Sequence, residues 1–237
     1  MPSVSTSPKI AHRNLSATAV AEELVIGGLT PFTTIDFPGR LAAVLFCQGC
    51  PWRCGYCHNP HLQPRVAGNV YAWQSILEFL ASRRGMLDGI VFSGGEPLWQ
   101  RALPAAMRSI KEEGFAVALH TGGGSAARMR AALPHADWVG FDVKAPFDRY
   151  RAITGVDAGE QARESLAALV DSGVHYEVRT TVDAALSLPD LHRLADDLEK
   201  SRVPHWVLQK RRGGATHALE IMKALQRGRS LTIEWRA

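Results

Sequence analysis

From about residue 40 onward, the chain alternates short β-branched and aliphatic runs with longer stretches in which apolar residues recur every three or four positions. A period that switches between short apolar runs and a 3.6-residue repeat predicts strands alternating with amphipathic helices. Strands are expected at Leu41–Phe46, Gly89–Ser93, Phe115–His120, Trp138–Val143, His175–Val182 and Trp206–Gln209. Helices are expected at Trp73–Arg84, Leu98–Glu113, Ser125–Leu133, Gly159–Ser172, Leu188–Ser201 and His217–Arg227. Gly114 and Gly173 stand where two helices should stop, and Ser187 with Pro189 reads as an N-cap followed by a first-turn proline. Leu231–Trp235 would add an edge strand, and Leu24–Phe37, with Gly27, Gly28 and Pro31, reads as a turn-containing lead-in. Six βα repeats predict an α/β fold of the partial (βα)6 barrel kind, with parallel strands and helices outside. Function is then expected on the loops at the C-terminal ends of the strands.

Composition narrows the class. The 237 residues are 46% apolar and 21% charged, with a net charge of +4, which excludes a disordered chain, a collagen or a coiled rod. No linker rich in Pro, Gly or Ser divides the middle, so residues 24–237 are expected to form one domain, preceded by a disordered tail over 1–23. That tail has no acidic residue before Glu22 and contains Lys9, Arg13 and many Ser, Thr and Ala, a faint likeness to a transit peptide; a frayed tail is the preferred reading. No run of about 18 apolar residues and no secretory pattern occurs, so the expectation is a cytoplasmic protein without a membrane partner. The pI near 9.0 comes from scattered charges, with no basic stripe interleaved with aromatics, and no nucleic-acid partner is expected.

The cysteines carry the chemistry. All four, Cys47, Cys50, Cys54 and Cys57, fall within eleven residues, and bridges among them would close tiny loops while leaving the following 180 residues unstapled. Metal binding in a reducing compartment is the better reading. The core spacing, Cys50-x3-Cys54-x2-Cys57, follows a predicted strand directly. Thiolates hold iron-sulfur clusters, and three of them leave one iron of a cubane open, as catalytic metal sites keep a vacant position. Two CxxC pairs can also be drawn, so a closed zinc knuckle or a redox dithiol stays open as an alternative. The three-residue gap between the pairs is short for a zinc ribbon, whose pairs lie about 15 to 20 residues apart. Cys47 sits at a strand end, where a small buried apolar residue is expected.

The Phe46–Pro60 loop, with Tyr56 just before its last cysteine, resembles the radical S-adenosylmethionine superfamily. More narrowly, Gly39–Pro60, ending in Tyr56-Cys57-His58-Asn59-Pro60, is similar to the activating enzymes of glycyl-radical proteins. The likeness runs from about Val25 to Arg227. Leu119–Gly123, Asp137–Pro146 and Tyr176–Val182 look like the branch that activates anaerobic ribonucleoside-triphosphate reductase. The resemblance implies one 4Fe-4S cluster on Cys50, Cys54 and Cys57, and S-adenosylmethionine held by Tyr56, Gly94, Gly95, Glu96, Asp142, Lys144 and Arg179. Ser93–Pro97 would be the strand-to-helix turn whose backbone and Glu96 hold the cofactor's amino group, its two glycines permitting close approach. It further implies reductive cleavage of the cofactor, removal of a hydrogen from a glycine Cα of the reductase's glycyl-radical subunit, and a flavodoxin-like or ferredoxin-like electron donor. No acid or base residue is required, because the cofactor carries the chemistry.

Rival readings accompany these assignments. Asp142 and Lys144, two apart on a predicted strand, share a face and could simply pair with each other. Arg179, whose fork suits a carboxylate, could instead pair with Glu177. His120 stands where many such activases carry Asp, so a cation-binding role is not transferred, and Gln209 occupies the place nearest a late histidine of related enzymes; neither is taken as a site residue. With one cysteine left over and 36 residues between Cys57 and Gly94, a second cluster is not expected. A single-cluster enzyme acting on a small molecule, like the 7-carboxy-7-deazaguanine synthases, is the main alternative, and a non-catalytic zinc module the remote one.

Overall fold

A computed structural model describes residues 20–65, 71–211 and 218–236. Eight strands form one sheet in the order of the sequence: β1 (Ile26–Thr33), β2 (Ala42–Cys47), β3 (Gly89–Gly94), β4 (Ala116–Thr121), β5 (Trp138–Asp142), β6 (His175–Val182), β7 (His205–Lys210) and β8 (Thr232–Arg236). From β2 to β8 every neighbour is parallel, while β1 runs antiparallel to β2. Helices α1 (Trp73–Ala81), α2 (Leu103–Glu112), α3 (Ala126–Ala132), α4 (Tyr150–Thr154), α5 (Gly159–Val170), α6 (Leu188–Lys200) and α7 (Ala218–Gln226) make the crossovers. Among the described residues β1 and β8 do not pair, so the sheet curls without closing: a partial barrel.

Strand alternation sorts the side chains into two layers. Ala43, Leu45, Cys47, Ile90, Phe92, Val117, Leu119, Val139 and Phe141 join the main core beneath the helices. The intervening Ala42, Val44, Val91 and Ala118 form a smaller inner cluster with Phe37. Phe37, from the segment after β1, stacks on Trp138 with ring centroids 6.4 Å apart and plugs the N-terminal end of the barrel. The inner layer is apolar there and turns polar at the opposite rim, where Ser93, His120, Asp142, Arg179 and Gln209 lie.

Three expectations are corrected. The lead-in over Leu24–Phe37 is largely strand: β1 pairs Leu29 with Leu45 and Thr30 with Val44, and a register shift between Thr30 and Thr33 accommodates Pro31, which an edge strand tolerates. The helix expected over Leu98–Glu113 is broken into a 3-10 turn, Pro97–Trp99, and α2. Extended Gln100 between them donates from its amide to the carbonyls of Val25 and Gln48 and accepts from the Val25 N–H. The strand carrying Asp142 ends at that residue, so Lys144 lies beyond it. The expected tail lies outside the described residues up to residue 19; Ala21 and Leu24 are already buried in the core. The expected Leu188 helix begins with a capping box between Ser187 and Asp190.

Candidate active site

Parallel register brings the strand ends level. Cys47 pairs with Gly94, Thr121 with Phe141, Asp142 with Arg179, and Thr181 with Gln209, so loops far apart in sequence meet on one rim. They enclose a cavity of about 380 Å³. Cys50, Cys54, Cys57, Tyr56, Gly94, Gly95, Glu96, Asp142, Lys144 and Arg179, the residues singled out from sequence, all line it.

The cysteine loop is held by backbone bonds at both sides. Gly49 N and Cys50 N donate to the carbonyls of Leu62 (2.8 Å) and Gln63 (3.0 Å), and Arg53 N donates to Thr154 O (2.8 Å). Gly95 N and Glu96 N donate to Cys47 O (2.9 Å) and Gly49 O (3.0 Å), stitching the glycine turn to the same loop. Gly94 has φ 111°, a region open mainly to glycine, and a Cβ there would stand 2.5 Å from Cys47 N. Cys47 is fully buried in the main core, away from the cavity; Cys50, Cys54 and Cys57 are partly exposed into it, and all four are free thiols. Burial pushes the Cys50 thiol up to about 12 and raises Cys54, with Lys144 drawing both back down. Iron at this position would offset that cost by displacing the protons. Among the described residues no group of three His, Cys, Asp or Glu converges to hold a single metal ion. Three thiols spread around one cavity suit a cluster, whose irons sit at separate corners.

Glu96 is a hub. It is 1% exposed and accepts from Leu98 N (3.0 Å) and the Thr121 hydroxyl (2.5 Å) on Oε1, and from Gly122 N (2.9 Å) on Oε2. Burial pushes its carboxyl up, and these three donors oppose that rise. Oε2 accepts one of these bonds and Oε1 two. Across the cavity, Arg179 Nε donates to Asp142 Oδ1 at 2.9 Å, and Lys144 Nζ stands 3.7 Å from Asp142 Oδ2. Arg179 lies across Gly140, where a Cβ would come within 2.8 Å of the guanidinium carbon. Burial raises the Asp142 carboxyl, but Arg179 and Lys144 outweigh it and hold the group below its usual range. The rival pairing of Arg179 with Glu177 does not form, because Glu177 is engaged by Arg236 at 2.8 Å. The rival Asp142–Lys144 pair does form, as the longer arm of a triad that leaves two cations on one carboxylate.

Several further residues line the cavity. Trp52, 3% exposed, packs against Gly122 and carries the Lys144 ammonium 5.4 Å from its ring centroid. His120 Nε2 donates to the Asp36 carbonyl at 2.8 Å, and burial followed by the nearby Arg179 pushes its pKa down to about 4. It is a satisfied, neutral strand-end histidine on the cavity wall, and Gln209 lines the same wall. The inward alternation of β4 and β7 was the signal that could have found both.

A partial barrel with a three-cysteine loop after its first parallel strand, facing a glycine turn and a cluster of charges, defines a class of cluster-dependent enzyme. The Radical SAM superfamily profile matches residues 44–198, and the chain belongs to that superfamily. Within it, the chain is similar to glycyl-radical enzyme activating enzymes. It is 32% identical over 177 residues to the pyruvate formate-lyase-activating enzyme of Clostridium pasteurianum, covering 71% of this chain and 73% of that one. It is also 32% identical over 167 residues to a Methanocaldococcus jannaschii protein provisionally named a glycyl-radical enzyme activating enzyme, covering 66% and 68%. The fold is shared with QueE from Escherichia coli, at a TM-score of 0.64 and 16% identity over 93% of this chain and 98% of that one. It is shared too with Streptococcus suis SuiB bound to S-adenosylmethionine, at a TM-score of 0.63 and 11% identity over 80% of this chain and 48% of SuiB. Among the described residues no helix is long and apolar enough to cross a membrane.

Proposed function

We propose that this protein is an oxidoreductase that activates anaerobic ribonucleoside-triphosphate reductase, with one 4Fe-4S cluster on Cys50, Cys54 and Cys57 and S-adenosylmethionine in the cavity beside it. The observation that carries this reading is the convergence of the three thiols, Glu96 and the Asp142–Lys144–Arg179 triad on one cavity. Together the cluster and S-adenosylmethionine supply one-electron chemistry able to take a hydrogen atom from a glycine Cα. Glu96 offers its remaining acceptor to the cofactor's ammonium, while Arg179 and Lys144 offer donors to its carboxylate. Asp142 holds those two cations in place. His120, neutral and bonded to backbone, moves no proton. Phe37 and Trp138 close the base of the barrel, so the rim is where a substrate segment enters.

The reductase as target is supported by Leu119–Gly123, Asp137–Pro146 and Tyr176–Val182, whereas the names of the relatives point to pyruvate formate-lyase and to glycyl-radical enzymes in general. The test is anaerobic reconstitution, reduction, and incubation with S-adenosylmethionine and either large subunit, followed by electron paramagnetic resonance. A glycyl doublet on the reductase supports the proposal; a doublet on pyruvate formate-lyase alone reassigns the target. Cofactor cleavage with no doublet on either favours a small-molecule enzyme.

A further inference from the structure

We propose that the outer face of the cysteine loop, built around Arg53, Arg65, Arg101 and Arg128, is the docking surface for an acidic one-electron carrier protein. Many arginines elsewhere on the surface are matched with carboxylates, Arg84 with Glu113, Arg149 with Asp190, Arg229 with Asp196 and Glu199, and Arg236 with Glu177, while Arg40 and Arg83 lie over phenylalanine rings. Beside the cysteines, four arginines without a carboxylate partner among the described residues are gathered. Arg53 Nη1 donates to the carbonyls of Cys50 (2.9 Å) and Trp52 (2.8 Å). The Arg65 guanidinium lies 5.2 Å from the Trp99 ring centroid. Arg128 Nη1 donates to the carbonyls of Leu98 (2.8 Å) and Trp99 (3.0 Å), and Arg101 is exposed two residues further on. Among the described residues none of these four is paired with a carboxylate, and the segments that carry them, 47–65, 97–111 and 126–132, contain no Asp or Glu.

The patch is joined to the cysteine loop. Trp99 Cδ1 lies 3.5 Å from where a Cβ on Gly49 would stand, one residue before Cys50, and Arg53 is itself within the loop. Guanidinium groups held by carbonyls and a ring have no carboxylate to offset their charge and keep spare donors. This inference rests on the reading of the three cysteines as a cluster site. Such a site must receive one electron from outside while the cavity is occupied, so that the carrier is oxidised by one electron and the site reduced by one. A basic face over the loop attracts an acidic carrier such as a flavodoxin, and electron-transfer encounters of this kind rely on steering across a small interface.

Isothermal titration of oxidised flavodoxin into the reconstituted protein tests the proposal, comparing the wild type with the Arg65→Glu, Arg101→Glu double variant. Both positions lie outside the cavity. The expected result is a Kd weakened about tenfold or more at low ionic strength, with the difference shrinking near 0.5 M salt. Cofactor cleavage driven by dithionite is expected to be equal in the two proteins, while cleavage driven by reduced flavodoxin falls in the variant. An unchanged Kd, or no measurable binding by the wild type, overturns the proposal. So does an equal loss of glycyl-radical formation with dithionite, which would assign the face to the glycyl-radical subunit. Failure of the wild type to cleave cofactor with dithionite strikes instead at the proposed function.

Discussion

Glu96→Gln isolates the hydrogen-bond hub with almost no change of shape. The carboxylate accepts two donors on one oxygen and one on the other, all buried. A glutamine amide has one oxygen and one NH2 group. With the oxygen toward Leu98 N and Thr121, the NH2 faces the Gly122 N–H; with the amide flipped, it faces the Leu98 N–H, while the Thr121 hydroxyl can rotate to accept. Either orientation leaves one buried backbone donor confronting another. Such an unsatisfied group costs about 1–3 kcal/mol. For a chain of this size that lowers the urea midpoint by roughly 0.5–1 M at constant slope. Equilibrium urea unfolding followed by circular dichroism, wild type against variant at pH 7, reads it directly. Thr121→Val leaves the carboxylate with two donors but also removes the acceptor of the buried Gly123 N–H (3.0 Å), and its expected loss is about 1–3 kcal/mol. An unchanged midpoint for Glu96→Gln would refute the hub, because it would mean that the three donors are not fixed on the carboxylate.

Three further outcomes are expected. Cys47→Ala leaves iron content near that of one cluster and costs about 1 kcal/mol of packing, whereas Cys50→Ala loses the iron; iron analysis after anaerobic reconstitution decides. His120 is held near 4 in the folded chain against about 6.5 unfolded, so the unfolded state binds the extra proton and stability is lost as pH falls from 6.5 toward 4, by about 2 kcal/mol at pH 5. His120→Gln should flatten that limb of the urea midpoint against pH, and equal slopes would show that the histidine is not held neutral. Trp52→Leu removes the ring beside Lys144, while Trp52→Phe keeps a π face. Loss of a partly buried cation–π contact of about 0.5–2 kcal/mol predicts S-adenosylmethionine binding weakened roughly 2- to 30-fold in the leucine variant and largely restored in phenylalanine, measured by equilibrium dialysis.

Several features were legible because their cause is local. The switch between apolar runs and helical spacing depends on neighbours within one turn or one strand, so the βα order and six strand positions could be read directly. The spacing of Cys50, Cys54 and Cys57 is likewise a property of one loop. β1 was not legible: Gly27, Gly28 and Pro31 look like turn residues, and only pairing with β2 makes them a strand. Gly27 is small because the Gln48 amide and Leu62 pack where its side chain would be, which no local pattern reveals. The helix break at Gln100 was hidden for the same reason, since the glutamine is held by Val25, 75 residues away.

The site divides along the same line. By itself the sequence determined which residue types were available for the chemistry and at which strand ends they stood. Partners were decided by the sheet. Arg179 had a carboxylate two residues away in Glu177 and another, Asp142, 37 residues away, and parallel register set Asp142 opposite it while Arg236 on β8 took Glu177. His120 and Trp52 became walls of the cavity only when the curl of the sheet turned the inner face of β4 toward the cysteine loop. Charge pairing and enclosure depend on distances across strands, and those are fixed by tertiary packing.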